Sequence, residues 1–218
     1  MHSRLRRIAA LSLIVPAIAA AQTTIGAPAS GNILSSTQGG NAVARGQSFT
    51  VPETDSRLES FAFWVGGTPF GGGASFRAYV HAFDATTRRL VGPALFSTEP
   101  QVQSGFKRRV AFETGGLELT PGGMFVAFLV TSSPMDFGSD ISRSTNAYSG
   151  GTYVSAFLVG GDVNASFANE RFRAEDFDLQ FEMTFSAGSH VVPEPSTYAL
   201  MATGLAGLAG VARRRRRA

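Results

Sequence analysis

The chain has 218 residues, no cysteine, and a formal net charge of +3 with a pI near 9.8. The missing cysteine excludes disulfides, thiol catalysis and Cys-based metal sites. Three of the 19 basic residues lie in the first 21 positions and five in the last six, while one of the 16 acidic residues, Glu194, lies in the tail; the 11 basic and 15 acidic residues between give about −4, without the clustered basic footprint that nucleic-acid binding requires.

Residues Met1 to Ala21 have the form of a secretory signal peptide. Arg4, Arg6 and Arg7 supply the positive start, Ile8 to Ile18 the apolar run, and Ala19 and Ala21 a small-x-small cleavage site. Gln22 is then the mature N-terminus, and the Sec translocon and signal peptidase are the implied partners. An uncleaved anchor would need a longer apolar run. Residues 22–42 are rich in Ser, Thr, Gly and Ala and read as an extended leader or a weak first strand.

From residue 43 to 187 the period is two. Gln47 to Val51 alternates and stops at Pro52; Leu58 to Val65 is bounded by Gly66-Gly67; Phe76 to Phe83 ends at Asp84. Leu90 to Ser97 is interrupted by Gly92-Pro93, Arg109 to Glu113 alternates, and Leu117 to Leu119 leads into the turn Pro121-Gly122-Gly123. Met124 to Thr131 is almost wholly apolar, the mark of a central strand. Tyr153 to Val159 is shorter, and Phe177 to Phe185 alternates over its whole length. No segment has a helical period. The expected fold is all-β, a two-sheet β-sandwich of jelly-roll type. Ser132 to Gly151 reads as a long surface loop.

No catalytic constellation stands out. His81 lies in a strand, and no H-x-x-x-H or G-x-S-x-G spacing accompanies it. Asp176 and Asp178 fall on one face of an expected strand, where oxygen ligands would suit Ca²⁺; Glu182 continues that face, so solvent exposure accounts for them equally. Asp136 and Asp140 form a second pair in the loop. Aromatics offer platforms for sugar rings: Tyr148 and Tyr153 flank Gly150-Gly151 and read as exposed, whereas the single tryptophan, Trp64, sits in an apolar strand and reads as core. Lys107-Arg108-Arg109 reads as a solvated strand edge.

The chain closes with a linker over 188–196, an uncharged run from Thr197 to Ala212, and a basic end over 213–218 with five arginines, Arg213, Arg214, Arg215, Arg216 and Arg217. Pro193 and Pro195 lack backbone N–H groups and stop the last strand. About 16 helical residues span roughly 24 Å against a hydrocarbon core of about 30 Å, so the run reads as a short transmembrane helix whose arginines stay on the cytoplasmic side.

Val192-Pro193-Glu194-Pro195-Ser196, the apolar helix and the arginine cluster together resemble the PEP-CTERM sorting signal of Gram-negative bacteria. The resemblance covers the tail alone. It implies recognition and processing by an exosortase, an inner-membrane intermediate, and delivery to the cell surface or beyond it in a bacterium that makes exopolysaccharide. The expected protein is a non-enzymatic binding or structural sandwich associated with that polymer, with no cofactor other than Ca²⁺ to consider. The alternative is a small extracellular hydrolase acting on polysaccharide with loop carboxylates.

Overall fold

The computed structural model describes residues 22–29, 33–34, 42–66, 74–103, 105–131, 141–158, 170–188, 201, 203–205 and 213. Alternation of large apolar and small or polar side chains builds two antiparallel sheets. In the first sheet, β4 (Arg57–Val65) is flanked by β13 (Phe181–Ser186) on one side and β8 (Arg108–Glu118) on the other. β1 (Gln22–Ala27) adds to β13, so the stretch read as an extended leader or a weak first strand begins with an edge strand of the sandwich. Beyond the end of β13, the two-residue β10 (Ile141–Ser142) pairs with β4 and carries β2 (Ile33–Leu34).

The second sheet is ordered β12 (Arg173–Glu175), β11 (Tyr153–Leu158), β3 (Ala42–Thr50), β9 (Met124–Thr131), β5 (Ala74–Asp84), β6 (Arg89–Ser97). β7 (Gln101–Gln103) also pairs with β5. The inward rows of both sheets, Phe49, Phe61, Phe63, Phe76, Phe112, Phe125, Phe181 and Phe185 among them, fill one aromatic core. Phe61 stacks on Phe112 with centroids 4.9 Å apart, and Phe49 meets Phe185 across the sheets at 6.1 Å. Each fully buried phenylalanine contributes about 1.5–3 kcal/mol from burial.

β9 is the central strand that its unbroken apolar run implies, because both of its faces are covered. Phe125, Ala127 and Leu129 enter the main core, while Val126, Phe128 and Val130 join a second cluster on the outer face of the sheet. Phe172 closes that cluster: its ring packs edge-on against Phe83 and Phe128, and its N–H donates to the Arg88 carbonyl at 2.9 Å.

Two expectations about strands change. Arg109–Glu113 and Leu117–Leu119 are not separate; β8 runs through both with a bulge, and Gly115 and Gly116 take φ of 70° and 79° there. Thr114 Oγ1 holds the bulge by donating to the carbonyls of Leu58 and Glu59. The nine-residue strand from Phe177 shrinks to β13, because Phe177, Asp178, Leu179 and Gln180 are all buried rather than alternating. The second half of the expected surface loop packs on the sandwich, with Ile141 and Ser144 buried.

Residues 1–21, the linker from 189, and most of the apolar run and basic tail lie outside the described residues; Met201, Thr203, Gly204, Leu205 and Arg213 are helical and exposed. No helix among the described residues is long and apolar enough to cross a membrane.

Candidate functional site

The outer face of the first sheet is built from short side chains. Across β1, β13, β4 and β8, one row reads Gly26, Glu182, Ala62, Ala111, and the next reads Thr24, Thr184, Ser60, Glu113. Gly26 is needed in its row, since a Cβ there would stand 2.5 Å from the Phe181 carbonyl oxygen. Trp64 lies opposite Arg109 one step further along the ladder. Arg109 Nη2 donates to Glu182 Oε1 at 2.6 Å. Their strands sit on either side of β4, so the pair spans that strand over Ala62, which is fully covered although it faces outward. A larger side chain at 62 would push the pair apart.

This bridge forms one side of a cleft of about 370 Å³ whose lining includes Thr24, Gly26, Pro28, Trp64, Gln180 and Glu182. That volume lies within the range of small-molecule sites. Trp64 is half-buried and supplies an aromatic wall. Gln180 is 9% exposed, and its Oε1 accepts no hydrogen bond among the described residues. That oxygen is itself buried, so the polar groups the cleft offers are the Thr24 hydroxyl and the Glu182 carboxylate held by Arg109, beside the apolar plate of Trp64.

A protein-family model described as the PEP-CTERM protein-sorting motif matches residues 191–217. The tail is a PEP-CTERM sorting motif. It implies that this is an exported, exosortase-sorted protein. The chain has no significant match among curated proteins. Its fold is similar to that of a solved clostridial cysteine protease, Cwp84 after propeptide cleavage, at TM-score 0.51 and 13% identity over 77% of this chain. The match spans 40% of the protease chain. A second structure, the cysteine protease and lectin-like domains of Cwp84, a surface layer associated protein of Clostridium difficile, matches at TM-score 0.43 and 14% identity, covering 68% of this chain and 33% of that one. At 13% identity the likeness to the first structure is one of fold, and the chain has no cysteine to act as the protease nucleophile.

The other expected site residues fall elsewhere. Tyr153 is buried rather than exposed: its ring stacks on Phe177 at 4.7 Å, and the Arg143 guanidinium lies 3.7 Å from the centroid of the Phe177 ring. Burial pushes the Tyr153 phenol above its ordinary pKa, with the positive charge of Arg45 pulling it partly back. Tyr148 is half-buried, set edge-on to Phe181; its hydroxyl accepts from Thr50 N–H at 3.2 Å and donates to Thr50 O at 3.3 Å. Both tyrosines therefore pin the 141–153 segment to β3 and β13.

Asp176 and Asp178 do not share a face. Asp176 is exposed and accepts from Asn146 Nδ2 at 2.6 Å. Asp178 is wholly buried and accepts from Gln47 Nε2 at 2.8 Å and from the N–H groups of Ala147 and Tyr148 at 2.9 Å each. Gln47 Oε1 in turn accepts from Leu179 N–H. The irregular backbone after β12 breaks the alternation that would have aligned the two carboxylates. Among the described residues, no group of three or more His, Asp or Glu is placed to hold a metal ion. Asp136 and Asp140, Ala19 and Ala21, and the arginines from 214 onward lie outside the described residues.

His81 is buried beside Tyr79 and Phe128 and bonds the Gly92 carbonyl. It props a bulge in β6, where Val80 and Ala82 pair with Phe96 and Val91. Gln180 was not singled out by sequence reasoning, since nothing in a lone glutamine marks it as buried and unpaired. The proximity of Gly26 to Glu182 was equally hidden, because it joins two ends of the chain.

Proposed function

We propose that this protein is a non-enzymatic polysaccharide-binding protein of the bacterial surface or extracellular matrix, with the Trp64 cleft as its binding site. The observation that carries the reading is a cleft walled by the single tryptophan, with the Thr24 hydroxyl and the Glu182 carboxylate in its lining. Sugar rings present apolar faces that lie against an aromatic plate and hydroxyls that hydrogen-bond to such polar side chains. In this reading the chain is exported through the Sec translocon, the signal peptide is removed after Ala21, and the helix over 197–212 holds an inner-membrane intermediate. An exosortase then processes the tail near Pro193-Glu194-Pro195, in a Gram-negative cell. The sandwich belongs to the jelly-roll type, and Ca²⁺ has no part in its binding.

The site favours binding over hydrolysis. Glycoside cleavage uses two carboxylates flanking the bond. Among the described residues Glu182 is the one carboxylate lining the cleft, and Arg109 already holds it. Affinity electrophoresis of the exported protein through gels containing the producing cell's exopolysaccharide tests the reading. The wild type should be retarded and Trp64→Ala should run free. Equal retardation of both proteins would place the site elsewhere, and release of reducing ends from the polymer would favour the hydrolase.

A further inference from the structure

The outer face of the first sheet continues past Trp64. A Cβ on Gly66 would stand 3.4 Å from Lys107 Cα and 3.5 Å from Lys107 Cβ, so the two residues extend the β4–β8 ladder side by side. Lys107 leaves on the face that Trp64 occupies, diagonal to it, at about 7–8 Å between backbones. Opposite this lysine stands a glycine rather than a carboxylate. Its basic neighbours are engaged: Arg108 Nε donates to Gln103 Oε1 at 2.6 Å, and Arg109 is held by Glu182. Lys107 is exposed and has no ion-pair partner among the described residues. Phe106 precedes it at 98% exposure, on a turn that Gly105 makes with φ 80°.

Resting on the polysaccharide reading above, we infer that the cleft takes an acidic, uronate-containing polymer. Trp64 stacks one ring and Lys107 pairs with the carboxylate of a neighbouring sugar. An exposed aromatic beside a lysine also suits an anionic lipid surface, but its position argues for the polymer. The segment leading to the sorting motif leaves the sandwich where Ser186 pairs with Arg57, and Gly188 lies against Ser56 and Glu118. Lys107 is at the other end of β4, roughly 26 Å away at about 3.3 Å per residue. The lysine and phenylalanine therefore stand at the end of the sandwich opposite the segment that leads to the sorting motif.

The test is affinity electrophoresis of the exported protein in gels containing either polygalacturonate or dextran, with Trp64→Ala, Lys107→Gln and Phe106→Ser alongside. Polygalacturonate should retard the wild type more than dextran does. Lys107→Gln should weaken retardation by polygalacturonate about fivefold, with less sensitivity to salt, while leaving dextran unaffected. Both Lys107 and Phe106 are exposed, so circular dichroism and Tm should not move. Equal retardation by the two polymers, untouched by Lys107→Gln but lost in Trp64→Ala, would overturn the acidic specificity and keep the cleft. No retardation of any protein, or retardation indifferent to Trp64→Ala, would overturn both. Flotation with phosphatidylglycerol vesicles that is lost in Phe106→Ser, without retardation by polygalacturonate, would replace the polymer with a lipid surface.

Discussion

Asp178 shows how a residue's role depends on what its neighbours leave unpaired. Its carboxylate meets three N–H donors from β3 and from the segment before β11, so it takes the place of backbone acceptors that an irregular stretch lacks. Asp178→Ala would strand those donors in the interior and should cost about 3 kcal/mol or more, read as a lower urea midpoint. Asp178→Asn keeps an acceptor oxygen and should lose less. His81 makes a prediction about pH. Burial holds its pKa below the ordinary value of 6.5, so the folded protein keeps it neutral while the unfolded chain takes up a proton. Its contribution is therefore present in full above about pH 6.5, declines as the pH falls below that, and is lost once the lower folded pKa is passed. Tm measured from pH 7.5 down to 5 should fall less steeply in His81→Phe than in the wild type; an identical slope would assign the pH dependence to other groups.

Strands were the most legible elements, because period two is written in adjacent residues. β4, β5, β9 and β11 form where the alternation or apolar runs place them, whereas β3 starts at Ala42, before the alternation at Gln47, and β6 runs on through Gly92-Pro93. Short strands escaped: β7, β10 and β12 have two or three residues and exist through pairing with distant partners. The glycine pair in β8 reads locally as a break, yet Thr114 and the β4 partner turn it into a bulge. That difference is testable. Gly116→Ala would place a Cβ 2.0 Å from Arg57 Nε at φ 79°, whereas Gly92→Ala, at φ 69°, meets nothing within 4 Å. Both carry the left-handed penalty of about 1–2 kcal/mol, and Gly116→Ala should lose more in a urea titration because the arginine must also move.

At the scale of the molecule, the two ends of the sandwich differ in kind. Gln22 pairs with Ser186, and Ser186 with Arg57, so the chain enters and leaves the sandwich at one end, while Trp64 and Lys107 stand at the other. The cleft therefore lies at the end of the sandwich away from both Gln22 and Ser186. The processing itself predicts a mass: protein recovered from the cell surface should run from Gln22 to near Pro193, and a Pro193→Ala/Pro195→Ala variant should retain Arg213 to Arg217. A surface species that keeps the arginines in the wild type would make the tail a plain anchor and sever the exosortase link.

Sequence alone settled the sorting tail and the all-β class. Both are carried by contiguous residues, a motif over 191–217 and an alternation every second position, so no distant contact is needed to read them. What the residues do once paired was decided by tertiary structure. Trp64 read as core because Phe63 and Val65 beside it are apolar; only the packing of Phe61, Phe63 and Val65 against the second sheet turns Trp64 out into a cleft. Tyr153 read as exposed beside two glycines, and Phe177 buries it from the far side of the chain. Burial depends on which face another sheet covers, and the cleft depends on strands from both ends of the chain becoming neighbours; neither is a local property.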